Sequence, residues 1–270
     1  MGVIFAGMLE FLQQNREPMT DTTETKQPGR FQFARILEVL FQPNRTLTML
    51  AEEGRSSWQT PMLALSLSAA LSVIISGVQN SRAAQMGEIQ LPRDWQWWTP
   101  DMQNNYMQAQ QSMQGPVFTY IIPLAGALLS LWLGWLILGG LLHLGSTVFG
   151  GRGSMQTALT ITGWASLPYL VRDVLRIVFM LIVGHSIQSP GISGFVENSP
   201  FWAALLSHMD VFFIWVLLLL IIGFGASDNM PRIKAVANVL IVSLLLLLVQ
   251  AGIGAALSGA SGLAIQRPFF

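Results

Sequence analysis

Four charged residues stand inside stretches that are otherwise apolar: Arg172, Asp173 and Arg176 in one, Asp210 in another. Charges at membrane depth are rare. They pair with one another, and where they are not purely structural they mark ion or proton paths. Arg172 and Arg176 are four residues apart and share a helical face, and Asp173, three before Arg176, can pair with it. The three histidines are His143, His185 and His208. His185 and His208 could approach Asp210, but zinc takes three or four preorganised ligands, so no metal site is expected. The chain has no cysteine, which excludes disulfides and thiolate chemistry. It contains neither His-Glu-x-x-His nor Gly-x-Ser-x-Gly. Gly150-Gly151-Arg152-Gly153-Ser154 lacks a Walker lysine and the dinucleotide-binding spacing, and reads as a turn. The titratable residues are too few for a catalytic cleft. No catalytic residue, cofactor or metal is expected, and the chain reads as a non-enzyme.

The elements that must position these charges are apolar helices. Of 270 residues, 52% are hydrophobic and only 10% are charged, against about 25% charged in soluble domains. About 20 apolar residues cross a bilayer. Five such spans are expected, at residues 61–78, 117–142, 157–184, 201–224 and 233–257, forming an all-α polytopic membrane bundle. The third should be broken between Gly163 and Pro168, because an internal proline removes a hydrogen bond and clashes with the preceding turn at a cost of about 3 kcal/mol. The second half of that span starts on the inner side, so Arg172 can snorkel to the inner headgroups. Arg176 lies one turn deeper. Counting from His185 and Trp202 as outer markers, Arg176 and Asp210 fall at a similar depth of about 12 to 14 Å. An Arg176–Asp210 ion pair is therefore expected, with Asp173 and Trp215 nearby, and a structural role is favoured over a relay.

The remaining sequence divides around this bundle. Residues 1–30 read as an interfacial apolar segment and a polar linker. Residues 31–60 read as amphipathic helices on the inner membrane surface, the second starting near Arg45 with Asn44 as its cap. The membrane domain occupies 61–260 and a tail 261–270. Within the domain, residues 79–116 form a Gln-, Met- and Trp-rich external insertion. Trp95, Trp97 and Trp98 suit the headgroup level, and Thr99-Pro100-Asp101 starts a helix by cap, proline and acid. Small residues late in the fifth span (Ala251, Gly252, Gly254, Ala255) permit close packing, within the chain or at a dimer face. With the N-terminus inside, nine Lys and Arg lie on the inner side and three outside, which favours a cytoplasmic N-terminus and an external C-terminus.

Gly163-Trp164-x-x-x-Pro168 resembles the Gly-Tyr-x-x-x-Pro motif of the Yip family of Ypt-interacting membrane proteins, with tryptophan in place of tyrosine. The run Asp210-Val-Phe-Phe213-Ile-Trp215 resembles the Asp-x-Phe-x-x-Trp start of the fourth span in bacterial members, and Leu40-Phe-Gln-Pro43 resembles the cytoplasmic approach to their first span. The resemblance implies a multi-pass protein of a prokaryotic plasma membrane whose molecular activity is not established; eukaryotic relatives are non-enzymatic membrane scaffolds, and a non-enzymatic scaffold or interaction protein is the expectation here. Its partners would be the lipid bilayer, other membrane proteins or a second copy. The Asp-Leu-Tyr-Gly-Pro motif of eukaryotic members is absent, which argues against GTPase binding, and no basic, aromatic surface suggests nucleic acid. The alternative is a small transporter or lipid-handling protein using the broken third helix and the Arg176–Asp210 pair.

Overall fold

A computed structural model describes residues 31–53, 58–87, 91–92, 95–185 and 199–263. The expected interfacial segment and linker at 1–30, and residues 264–270 of the tail, lie outside the described residues. All described elements are helical. Helix α1 (Ala34–Phe41) and α2 (Pro43–Glu52) come first. Pro43 takes the first turn of α2, where its missing N–H costs nothing. The second helix therefore begins at Pro43 rather than at Arg45. Asn44 lies inside it, and its carbonyl accepts from Thr48 Oγ1 at 2.8 Å instead of its side chain capping the helix. Arg35 and Glu53 tie the two helices together through a two-pronged pair at 2.7 and 2.6 Å.

Helix α3 (Gln59–Gln85) has 27 residues, about 40 Å at 1.5 Å per residue, against a hydrocarbon core of about 30 Å. It continues seven residues past the expected end at Val78, where Gln79 finds a partner within the bundle: its Nε2 donates to the Met180 carbonyl at 3.0 Å. In the insertion, Thr99 caps α4 (Pro100–Met113) by accepting from Met102 N, and Asp101 occupies its first turn. Trp95 and Trp98 stack around Tyr106, which holds this segment together, while Trp97 stays exposed. A π-turn (Val117–Ile121) leads into α5 (Ile122–Val148).

The third apolar stretch divides as expected. Ser154 caps α6 (Met155–Ala165), Thr157 N donating to its hydroxyl at 3.1 Å, and Pro168 opens α7 (Pro168–Val183). Proline leaves the Trp164 carbonyl without its usual donor; Leu167 N supplies one at 3.3 Å. Ser166 Oγ donates to the Thr162 carbonyl at 2.8 Å.

The fourth stretch was expected to be continuous and is not. It splits into α8 (Pro200–Ser207) and α9 (Val211–Ser227), bent by 63°. No glycine or proline marks this break. It is made by Asp210, whose extended backbone stops α8 and whose side chain starts α9. Helix α10 (Arg232–Leu263) follows, and its late small residues receive α8: a Cβ on Gly254 would lie 3.1 Å from Ala204 Cβ. That stretch packs within the chain.

Among the described residues, three helical stretches are long and apolar enough to cross a membrane: Gln59–Gln85, Val117–Val148 and Arg232–Ala256. The bent α8–α9 pair makes a fourth if it counts as one span. The 16 residues of α7 reach about 24 Å, short of a full crossing alone. The shared core gathers Leu142, Trp164, Leu219, Leu220 and Phe224 from α5, α6 and α9 with Leu47 and Leu50 of α2, all at most 1% exposed. Truncating either Leu47 or Leu50 to alanine should cost about 2–5 kcal/mol, the range for buried leucines, measured by thermal unfolding in detergent. Amide exchange in α1 and α2 should then accelerate while that of α5 holds, because the lost contacts are those that dock the pair.

Candidate functional site

The charges meet where α7, α9 and α3 converge. Asp210 holds the centre. Its Oδ1 accepts from Phe213 N at 2.8 Å, capping α9, and its Oδ2 lies 3.6 Å from Arg172 Nη1 and 3.9 Å from Arg176 Nη2. Arg176 thus faces Asp210, but more loosely than Arg172 does. Arg172 does not run to the inner headgroups as expected. Its guanidinium is held between Asp210 and Asp173 (Nε to Oδ1, 3.7 Å) and lies 4.3 Å over the Tyr169 ring. Asp173 sits with Arg172, not with Arg176, and its Oδ2 accepts from Ser68 Oγ of α3 at 2.9 Å. The reason lies in the α8–α9 break: as an N-cap, Asp210 points out of the helix start and reaches both arginines of the same α7 face. Trp215 packs half-buried against the shared core.

The remaining motif residues serve packing. Gly163 fits where a Cβ would come within 3.4 Å of Pro61 and of Trp135 Nε1. Trp135 donates to the Leu159 carbonyl at 2.9 Å. Trp164 is fully buried, and Pro168 is buried at the start of α7. His208 Nδ1 lies 3.0 Å from the Ala204 carbonyl, and the His185 ring meets Phe179 edge-on. Among the described residues no group of three His, Cys, Asp or Glu could hold a metal.

A second polar site was not anticipated. Asp228, in the turn from α9 to α10, is only 3% exposed. It accepts from Ser146 Oγ of α5 and, at 2.8 Å, from Ser227 Oγ. Its backbone carbonyl accepts from Arg152 N at 3.4 Å. The Gly150–Gly153 turn closes over it so tightly that a Cβ on Gly153 would overlap Oδ1 and lie 2.8 Å from Cγ, and one on Gly151 would lie 3.0 Å from Oδ2. These glycines wrap a carboxylate, so their charge partner is the opposite of what a phosphate cradle needs. Lys234 Nζ donates to the Phe149 carbonyl at 3.0 Å, at the end of α5. The α5–α6 and α9–α10 turns are thereby knitted into one unit. The signal available in the sequence was the pairing of a glycine-dense turn with an acid in the next turn on the same side.

Burial pushes the Asp228 carboxyl above its ordinary value, opposed by the Ser227 hydroxyl and by the charge of His143.

The Yip1 domain family model matches residues 37–253. The chain belongs to the Yip1 family. Its described apolar helices agree with a multi-pass membrane protein. An uncharacterized protein of Methanocaldococcus jannaschii is 37% identical over 67 residues, which are 25% of this chain and 48% of that protein. The match thus spans about half the length of this relative. No solved structure matches.

Two outcomes test this geometry. Asp210→Asn keeps a cap but loses the charge, whereas Asp210→Ala loses both. The alanine variant should cost about 3–5 kcal/mol by removing the acid that Arg172 and Arg176 share and leaving Arg176 without an ion-pair partner, and should exceed the asparagine variant by about 0.5–2 kcal/mol for the cap; thermal unfolding in detergent reads both. At Asp228 the raised value means that the folded state binds the proton more tightly than the unfolded one. The stability this contributes is full below the ordinary carboxylate value and is lost as pH rises through the raised one. Measured against Asp228→Asn, the wild type should gain relative stability as pH falls from neutral towards that range.

Proposed function

We propose that this Yip1 family member is a non-enzymatic membrane scaffold with five crossings, α6 and α7 together making the third and α8 with α9 the fourth. It would lie in a prokaryotic plasma membrane with its N-terminus cytoplasmic, an orientation supported by the distribution of lysine and arginine. The observation that carries the scaffold reading is the α1–α2 pair. One face of it is anchored by Val39, Leu47 and Leu50, while Phe33, Leu37 and Phe41, four residues apart on α1, are exposed. A rigidly held amphipathic helix with an uncovered apolar row is suited to the inner membrane surface. There it leaves the α2 side facing the cytoplasm for other membrane proteins or a second copy.

A lipid-handling role is the second reading. It draws on the unexpected second helix break and on the charges gathered beside it, since broken helices at mid-membrane are the usual way a transporter builds a polar site.

Photo-crosslinkers placed at Glu38, Arg45 and Glu52 in cells should capture a discrete membrane-protein partner or a second copy. The same probe on lipid-facing Leu244 should capture neither. If only lipid is labelled from all four positions, the scaffold reading loses its support.

A further inference from the structure

Arg176 carries five N–H donors, yet among the described residues it donates no hydrogen bond; its one ion-pair contact is Asp210 at 3.9 Å. Its side chain is 31% exposed. It sits eight residues past Pro168, about 12 Å along α7, next to the exposed apolar Leu175 and close to the exposed Phe179. A guanidinium so placed, without an acceptor, is costly in hydrocarbon. Beside it lies a cavity of about 150 Å³, lined by Ser72, Ser76, Asp173, Arg176 and Met180. One water needs only about 10–15 Å³ of such space, so the cavity admits a larger group. Its wall includes an unsatisfied polar atom: Ser72 Oγ has no partner, and about two turns further along α3, beyond the cavity lining, nor does Gln79 Oε1.

Charge narrows what fits. Arg172, Arg176, Asp173 and Asp210 sum to zero, so a bare anion would leave the cluster negative in a poorly polarisable surrounding. A group carrying both a phosphate and an amine leaves it neutral. Arginine forks match phosphate oxygens in pairs, and Asp173, whose Oδ1 lies 3.7 Å from Arg172 Nε, lines the same cavity. We propose that this cavity binds a zwitterionic phosphate–amine group, the phosphate on Arg176, the amine on Asp173, and the Ser72 and Ser76 hydroxyls completing the shell. The source is an ethanolamine-type phospholipid headgroup. A headgroup reaches the cavity from the side on which Arg176 is partly exposed, and polar residues of α3 back the site. Ser68, Ser72, Ser76 and Gln79 follow at helical spacing over about 16 Å. Ser68, Ser76 and Gln79 already contact α7 through Asp173 and Met180. The site gives chemical content to the lipid-handling reading and rests on it. It is separate from the α1–α2 surface, so the scaffold reading neither needs it nor falls with it.

The test is native mass spectrometry of the full chain released from detergent, with phosphatidylethanolamine, phosphatidylglycerol and O-phosphoethanolamine as probes. Wild type should retain phosphatidylethanolamine about tenfold better than phosphatidylglycerol, which has no amine for Asp173. Arg176→Gln should lose that preference. Ser72→Leu, which fills the cavity without touching a charge, should lose it too, while lipid-facing Leu71→Ala keeps it. Ser72→Leu carries the test if Arg176→Gln fails to fold. Equal retention of both lipids by wild type, or a preference unchanged in Ser72→Leu, would overturn the proposal. Displacement of the lipid by O-phosphoethanolamine would overturn the lipid source and assign the site to a soluble phosphate–amine.

Discussion

A helix interrupted among apolar neighbours leaves backbone groups that need other partners, and two interruptions shape this protein. They are resolved by different chemistry. At the Gly163–Pro168 break the chain repairs itself locally: Leu167 N closes on the Trp164 carbonyl and the Ser166 hydroxyl on the Thr162 carbonyl. At the α8–α9 break the repair is a carboxylate, Asp210, accepting from Phe213 N. A carboxylate brought to that depth needs a counter-charge, and α7 provides two. The second break therefore requires the first. Only because α7 restarts at Pro168 do Arg172 and Arg176 come to face the start of α9.

This coupling explains which parts could be read from the residues alone. Pro168 announces its break because proline cannot donate, and Thr99-Pro100-Asp101 announces α4 because cap, proline and acid each favour a helix start. The α8–α9 break carries no such marker. His208, Met209 and Asp210 are tolerated in a helix, and only the tertiary neighbours of Asp210 make the capped, bent form the better solution. The same ignorance affects pairing. Helical spacing puts Arg172 and Arg176 on one face, but which lies nearer Asp210 depends on the 63° bend, and that is a property of packing. Asp228 escaped notice for a related reason. In sequence it is a loop acid next to a serine; only the approach of the Gly150–Gly153 turn makes it a buried one.

The family motif belongs to the packing and not to a reactive centre. Gly163 lets Pro61 and Trp135 approach, Trp164 fills the middle of the core, and Pro168 starts α7. Tryptophan in place of the tyrosine of the motif lies wholly within the apolar core, with its Nε1 unpaired. Membership of the Yip1 family is thus expressed first as a way of arranging a broken helix against its neighbours.

The two polar sites are built on opposite principles, and that contrast bears on what each can do. Around Asp228 both carboxylate oxygens have donors, from Ser146 and Ser227, and the glycine turn leaves no room for another group. Such a site can only hold α5, α6, α9 and α10 in register. Around Arg176 the donors outnumber the acceptors, a serine hydroxyl is unpaired, and space remains. Buried polar groups are satisfied in the great majority of folded structures. Here an unpaired hydroxyl, Ser72, and a guanidinium with a single loose partner, Arg176, line one cavity.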